Sequence, residues 1–513
     1  MWSRRLAATA LGLTGAVTAF DWHAEHVLSR SWRTIWTGFH ILYNYKVWYK
    51  RPGADPSEVN KDTAQRIVNA LEKNGGIYIK FGQALSSFRR ALPTEFKNEL
   101  ARLQDDVAHA EWSRIEKLIT EEFGKHPDEV FLDFERTPVA SASIAQVHRA
   151  RRRDTGEVVA VKVQKPNIAT QMPWDLWIYS IVAYALEEAF QLPLTWNVDF
   201  ASRQFLLESD FLNEARNGEL AREQFNEPSF RMHKEVHVPV VHHDLTTRRV
   251  LTCEWIDGIK LLDQEQIREA GYDEAKVMRT VVETFAHQIF ETGHVHCDPH
   301  PGNILVRKVN GKPEIVLIDH GLYVSLSEPL RKANAQLWTA AFTGDVQTLR
   351  RVVESWGVGD SDAFVSALLM RDVRSNGQGQ PVHLQKEISR RDMARRMHRN
   401  KQGEMSHDTV RNILADAQLM PNEVPFVMRN LAYVQALNIN MGSPIDRARV
   451  LAYYAARGAH AESPWSRFIA EQRFRFMLWW LQLAFAWRRR TSKHPVMSEQ
   501  EMMQKIADEV QVV

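Results

Sequence analysis

Between Val158 and Gln164 the chain reads VVAVKVQ. Val159, Val161 and Val163 share one side of this alternation, and Val158, Ala160 and Lys162 share the other. A strand buried on one face has this pattern, and here a lone lysine stands beside a small alanine on the second face. An earlier extended run, VASASIAQVHRARRR, is joined to it by a turn at Asp154-Thr155-Gly156. Upstream, Lys61 to about Phe123 has helical spacing, interrupted by one irregular stretch, NGGIYIKFGQALSSFRRALP. Downstream, a helix is expected from about Asp199 to Phe225, then strands within VHVPVVHHDLTTRRVLTCEWIDG. Helices from Asp263 to Glu291 lead to a polar loop, HVHCDPHPGN, and to the strand EIVLI before Asp319. After HGLY the pattern is mostly helical to the end, and RPGADP at 51–56 breaks the chain near its start. Strands in the middle with helices on either side predict an α+β fold.

The two ends carry a different signal. Residues 22–50 hold Trp22, Trp32, Trp36, Phe39, Tyr43, Tyr45, Trp48 and Tyr49 among basic residues. Such a helix either lies on a membrane or docks its aromatic stripe on the protein's own core. Near the other end stands FRFMLWWLQLAFAWRRR, with Trp479, Trp480 and Trp487 before Arg488, Arg489 and Arg490. Its apolar core, Phe476 to Trp487, is 12 residues long, which suits an interfacial helix or a core helix and is too short to span. The first 20 residues contain Arg4 and Arg5, a run of Ala, Thr, Leu and Gly, and no acid before Asp21. That composition suits a mitochondrial presequence, with a secretory signal and a plain surface helix as alternatives.

Composition narrows the function classes. At 513 residues the chain exceeds one ordinary core, so several domains are expected. Lys and Arg total 65 against 63 Asp and Glu, a net charge of +2, so no global field argues for nucleic acid as a partner. Two cysteines, Cys253 and Cys297, cannot build a disulfide framework. The 16 tryptophans cluster toward the ends, which reinforces the interfacial reading.

The candidate chemistry lies in the middle. An enzyme acting on nucleotide phosphate needs a lysine for the phosphates, a carboxylate to fix it, and oxygen ligands for Mg²⁺. In order, the chain supplies VAVK with Lys162, a carboxylate-bearing helix, a segment ending EWIDG, then HCDPHPGN and Asp319-His320-Gly321. Asp298 and Asn303 are five apart, the spacing of a kinase catalytic loop. Asp210 and Glu214 are four apart on one helical face, and Glu208 lies about 120° round from Glu214. Carboxylates on two faces can serve two lysines, and Glu214 is assigned to Lys162. Zinc at His296, Cys297 and His300 is disfavoured, because adjacent His-Cys ligands are poorly spaced and no second ligand cluster follows.

These motifs together resemble the UbiB-type atypical kinase family, the aarF-domain-containing kinases, and most closely its mitochondrial branch. KFGQ at Lys80 to Gln83 resembles the family's KxGQ motif, VASASIAQVHRA its alanine-rich loop, and ESD at Glu208 to Asp210 its ExD motif. HCDPHPGN and DHG match the catalytic and metal-binding loops. The match runs from about residue 60 to 345 and more loosely through 436–450. The resemblance implies a two-lobed protein-kinase-like fold with helical N-terminal and C-terminal additions. Expected boundaries are 1–50 for targeting or membrane contact, 51–130 for the KxGQ extension, 131–257 and 258–345 for the lobes, and 346–513 for a helical region.

It also implies roles. Asp298 becomes the catalytic carboxylate, and Asn303 and Asp319 the Mg²⁺ ligands. Ala140, Ser141, Ala142, Ser143, Val147, Ala160, Lys162, Glu214, Glu254, Trp255 and Ile256 become the binding set for ATP or ADP. Lys80, Gly82, Gln83, Glu208 and Asp210 become a gate covering the place of a protein substrate. Two departures from ordinary protein kinases stand out. Cys297 occupies the usual arginine position before the catalytic aspartate, and only LYVSLSEP separates Gly321 from the next helix. The loop at 140–143 has no glycine, which alters how closely backbone approaches phosphate. The expected function is therefore an atypical kinase or ATPase linked to a lipid or isoprenoid-like small molecule at the mitochondrial inner membrane, with a role in lipid or coenzyme Q homeostasis. A conventional protein kinase and a nucleotide-binding scaffold without turnover are the alternatives.

Overall fold

The structure, a computed structural model, describes residues 17–87, 92–103, 109–195, 198–343, 345–358, 361, 420–459 and the isolated positions 469, 472 and 476. The presequence-like residues Arg4 and Arg5 lie outside these, as do Trp479, Trp480, Trp487 and Arg488 to Arg490. The chain divides into two compact units. As far as they are described, Met1–Glu219, Pro239–Ile256 and residues 420–422 form the first, and Leu220–Val238, Asp257–Lys386 and Glu423–Val513 form the second.

Helices open the first unit: α1 (Val27–Tyr43), α2 (Pro56–Asn74), α3 (Ile77–Ser87), a shorter Thr94–Leu100, and α4 (Trp112–Phe123). Residues 51–130, as far as they are described, and the sheet that follows lie in this one unit. The stretch expected to be irregular is largely helix. Gly75 and Gly76 adopt positive φ (61° and 56°) and turn α2 into α3, so the glycines end one helix and leave KFGQ inside the next.

The sheet of this unit has β1 (Phe131–Leu132), β2 (Ala140–Ser141), β3 (Ala145–Arg152), β4 (Val158–Gln164) and β6 (Val250–Glu254), all pairings antiparallel. The alternation in β4 divides as its sequence dictates. Val159, Val161 and Val163 are fully buried with Ile115, Leu118 and Ile119 of α4, while Lys162 stays on the second face. On β3, Gln146 and His148 turn to the buried side. His148 bonds the Glu135 carbonyl over 2.7 Å and Gln146 accepts from the Ala110 amide, so these polar motif residues staple the preceding loop to the sheet.

Three further helices complete the unit: α5 (Ile168–Phe190), α6 (Val198–Glu208) and the start of α7 (Phe211–Asn226). The single helix expected over 199–225 is thus two. Asp210 is the reason: its carboxylate accepts from the Leu212 amide (3.1 Å), and its carbonyl accepts from Asn213 and Glu214, so it caps a new helix. A second core joins the pieces, with Ile77, Ile168, Met172, Phe211, Ala215 and Leu251 packed together.

In the second unit, β5 (Val236–His237) runs parallel to β10 (Lys312–Leu317), which pairs antiparallel with β9 (Ile304–Val309), and β9 with β7 (Ile259–Lys260). A separate two-stranded piece pairs β8 (His294–His296) with β11 (Tyr323–Ser325). Around them pack α8 (Glu274–His287), α9 (Glu328–Thr343), α10 (Val424–Asn440) and α11 (Arg447–Ala459). Their interface is partly ionic: Tyr454 donates to Glu283 over 3.0 Å, and Arg457 lies 2.8 Å from Glu291. Among the described residues, no helix is long and apolar enough to cross a membrane.

Candidate nucleotide and catalytic site

Lys162 and Glu214 are brought together within the first unit. The ammonium lies 2.7 and 2.8 Å from the two carboxylate oxygens, and it sits over the Phe211 ring at 5.4 Å. Glu214 is buried and Lys162 partly exposed. Register explains the arrangement. Lys162 stands opposite Val147 on β3 and Leu251 on β6, and Val147 stands opposite Ala140 on β2. Directly opposed residues share a sheet face, so Ala140, Val147, Lys162 and Leu251 form one row across it. Ala160 lies in the next row, opposite Arg149 and Cys253. Burial and the nearby Glu214 push the Cys253 thiol up to about 12, so it is no ready nucleophile.

The alanine-rich loop folds as a tight turn, with the Ala142 amide donating to the Ala145 carbonyl over 2.8 Å. The hydroxyls of Ser141 and Ser143 are buried without a hydrogen-bond partner among the described residues. Buried polar atoms are nearly always satisfied, so two orphan hydroxyls in this loop are donors suited to an oxygen-rich ligand, although Ser141 stands opposite Gln146 and not in the Lys162 row. Glu254, Trp255 and Ile256 carry the chain out of β6, and Ile256 is the last residue of the first unit before Asp257. There the Glu254 amide bonds the Val240 carbonyl, and the Trp255 ring faces the Arg149 guanidinium at 5.5 Å.

The expected gate residues divide by role. Lys80 on α3 pairs with Glu208, the last residue of α6, at 2.6 Å. Asp210 caps α7 and lies 3.5 Å from Arg248. Gly82 is a packing residue: a Cβ there would overlap Leu103 Cδ1 and meet Leu71 Cδ1 at 3.0 Å. Gln83 lies half-buried on the same helix. Phe81 was not singled out from the sequence, yet it stacks on Tyr179 (4.4 Å) and meets Phe205 edge-on (4.8 Å), tying α3 to α5 and α6. Its signal was an aromatic residue inside a stretch expected to be irregular.

In the second unit, Asp298, Asn303 and Asp319 gather where β9 and β10 meet. The Asn303 side-chain amide donates to the Asp298 carbonyl (3.3 Å), and the Ile318 amide donates to the Asn303 carbonyl (3.0 Å). Asp319 follows directly, with one carboxylate oxygen accepting from the Gly321 amide at 3.0 Å. An amide oxygen and a carboxylate on adjacent strand ends are hard oxygen ligands, and they fit a magnesium ion. His296, Cys297 and His300 do not converge. His296 accepts from the Asp298 amide, Cys297 is buried against the Val295 carbonyl, and His300 accepts from the Gly302 amide.

Sequence reasoning missed the partner of Asp298. Arg429, on α10, places Nη2 at 3.1 Å from Asp298 Oδ1 and stacks over Tyr433 at 5.5 Å. Burial opposes the arginine's charge, while Asp298 and Tyr433 hold it well above its ordinary value. The next residue, Asn430, donates to the His296 carbonyl over 2.5 Å.

The chain is similar to known proteins of one family. The ABC1 atypical kinase-like domain matches residues 102–353. An ABC1 family protein of Schizosaccharomyces pombe is 35% identical over 459 residues, covering 88% of this chain and 83% of that protein. AarF domain-containing protein kinase 1 of Gallus gallus is 34% identical over 345 residues, covering 66% of this chain and 65% of that protein. A probable serine/threonine-protein kinase of Dictyostelium discoideum is 30% identical over 448 residues, covering 85% and 62%. Among solved structures, a Mycobacterium tuberculosis protein in complex with erythromycin aligns with TM-score 0.40 and 22% identity over 70% of this chain and 93% of that one.

Proposed function

We propose, from the premise that this chain belongs to the ABC1 family of atypical kinase-like proteins, that it binds Mg·ATP or Mg·ADP and acts as an ATPase or small-molecule kinase. The acceptor is a lipid or isoprenoid-like molecule, reached at the mitochondrial inner membrane. The paired Lys162 and Glu214, on the sheet face shared with Ala140 and Val147, carry the reading. Lys162 would hold phosphate oxygens, and Glu214 keeps its ammonium extended along the sheet face. Asn303 and Asp319 would hold magnesium, which neutralises phosphate charge when bound. Asp298 is the carboxylate suited to taking a proton from an acceptor hydroxyl.

The choice of a small acceptor rests on a short connection. Gly321 is followed by the strand Tyr323–Ser325, paired with β8, and then by α9 at Glu328. Little chain remains there to receive a peptide. The mitochondrial and coenzyme Q assignment rests on the family resemblance and the acid-free N-terminal composition. A second reading, protein phosphorylation, takes support from the name of the Dictyostelium relative.

The test is nucleotide-induced thermal stabilisation together with ATP turnover by full-length protein, with and without lipid vesicles, and a screen of phosphorylated products. Mg²⁺-dependent stabilisation lost in Asp319→Asn, with turnover raised by lipid, is the expected result. Equal stabilisation of wild type and Asp319→Asn overturns the metal assignment. Binding without turnover under every condition selects a scaffold, and a phosphorylated protein product selects the second reading.

A further inference from the structure

Within the first unit, α1 and α5 run side by side in the same direction. Arg30 Nε donates to Asp175 Oδ1 over 3.2 Å, and further along both helices Gly38 backs onto Val182. This contact inverts the usual logic of a surface helix. Toward α5, α1 turns the buried Val27, Arg30 and Gly38; outward it turns Leu28, Trp32, Ile35, Trp36, Phe39 and Tyr43, each at least 38% exposed. Spacings of three, four and seven put these on one helical stripe. On α5 a second stripe of Trp174, Trp177, Ile181 and Tyr184 is 41–70% exposed.

Helical geometry places the two stripes together. At about 100° per residue, the α1 stripe lies roughly 145° round from its contact line, and the α5 stripe roughly 130° round in the opposite sense. Because the helices run parallel, opposite senses bring both stripes to the same side of the pair. The rings are ordered there: Trp32 stacks on Trp36 (5.8 Å), Trp36 on Phe39 (5.6 Å), and Trp174 meets Trp177 edge-on (5.8 Å). Contiguous exposed apolar surface of this kind marks an interaction site.

Charge identifies the occupant. From Val27 to Ala54 there is no Asp or Glu, and Lys46, Lys50 and Arg51 are exposed just beyond α1. On α5, Asp175 is consumed by Arg30 and Glu187 caps the Leu194 and Thr195 amides, which leaves Glu188 at the end of the stripe. Tryptophan and tyrosine favour the headgroup level of a bilayer, and lysine and arginine meet anionic headgroups. We propose that this two-helix face docks the protein on the surface of a bilayer bearing anionic lipids. The rings enter the headgroup region and neither helix crosses. This deepens the membrane reading proposed above and rests on it.

Vesicle flotation of the full chain tests the face, with phosphatidylcholine vesicles and with phosphatidylcholine–phosphatidylserine vesicles. Wild type should float with the anionic vesicles and less with the neutral ones. Trp32→Ser with Trp36→Ser, or Trp174→Ser with Trp177→Ser, should each lower the bound fraction about tenfold. Melting behaviour and nucleotide-induced stabilisation should stay unchanged. Lys46→Glu with Lys50→Glu should remove only the preference for anionic vesicles. If wild type floats and the tryptophan variants float equally, membrane contact lies elsewhere and this face is not the dock. If wild type floats on neither vesicle, the membrane reading itself fails. If the variants instead convert a dimer to a monomer by light scattering, the occupant is a second copy and the proposal is overturned.

Discussion

Arg429 reaches Asp298 from 131 residues further along the chain and holds its carboxylate at 3.1 Å. The position before Asp298 is a buried cysteine, so the cation beside this aspartate comes from α10. Arg429→Met should leave nucleotide-induced stabilisation in place and lower ATP turnover by about 10- to 100-fold, because a misplaced catalytic group costs rate before it costs binding. Arg429→Lys should recover little, since lysine lacks the planar fork. Turnover equal to wild type would show that Asp298 is held by its loop alone.

The Lys80–Glu208 pair is partly exposed, so its net worth to stability is small, about 1 kcal/mol. Its expected effect is on activity. Lys80→Ala should raise ATP hydrolysis or autophosphorylation without loss of nucleotide binding, and the swap Lys80→Glu with Glu208→Lys should return both toward wild type. If Lys80→Ala abolishes nucleotide binding, the pair belongs to the nucleotide site and not to a gate.

Gly82→Ala should destabilise the protein by about 1–3 kcal/mol in urea unfolding, because the added methyl meets Leu103 and Leu71. Leu103→Ala in the same chain should recover part of the loss. Loss of activity at unchanged stability would give Gly82 a direct role at the site instead.

Burial, with His296 beside it, lowers the His294 imidazole to about 4 from 6.5. The unfolded chain therefore takes up this proton at higher pH than the folded one. The stability it confers is complete above about pH 6.5 and is lost as pH falls toward 4. His294→Phe keeps a ring against Tyr323 and removes the proton, so its melting temperature should fall less steeply with acidification. An unchanged slope would assign the acid limb to other groups.

How much of this was legible follows physical lines. The alternation in β4 revealed Lys162 and its face, because strand period and burial are local. Order and spacing revealed Asp298, Asn303 and Asp319, whose strands are neighbours in sequence. Arg429 was invisible, because its pairing depends on how α10 packs and no local pattern encodes that. The glycines of KFGQALSS and its flank suggest an irregular stretch, whereas one pair turns a corner and Gly82 admits a neighbouring leucine. Helical periodicity through 199–225 concealed the cap at Asp210, since a capping aspartate and a surface aspartate look alike in sequence. The sequence pattern of α1 suits either membrane or core; the helix buries its small and ionic side and exposes its rings.

That cap at Asp210 also sets a phase. Glu208 ends one helix and Glu214 lies in the first turn of the next, so the two lysine pairs are timed by the two residues between α6 and α7. The Ser209 carbonyl is anchored by Gln164, and the Phe211 amide by the Arg248 carbonyl, which clamps the joint to β4 and to the approach to β6. Inserting one residue at the joint would strain the clamp that seats Glu214 against Lys162 and leave the Lys80–Glu208 pair on its own side of the break. The joint works as a clutch between two ion pairs: its length is under tighter constraint than its composition.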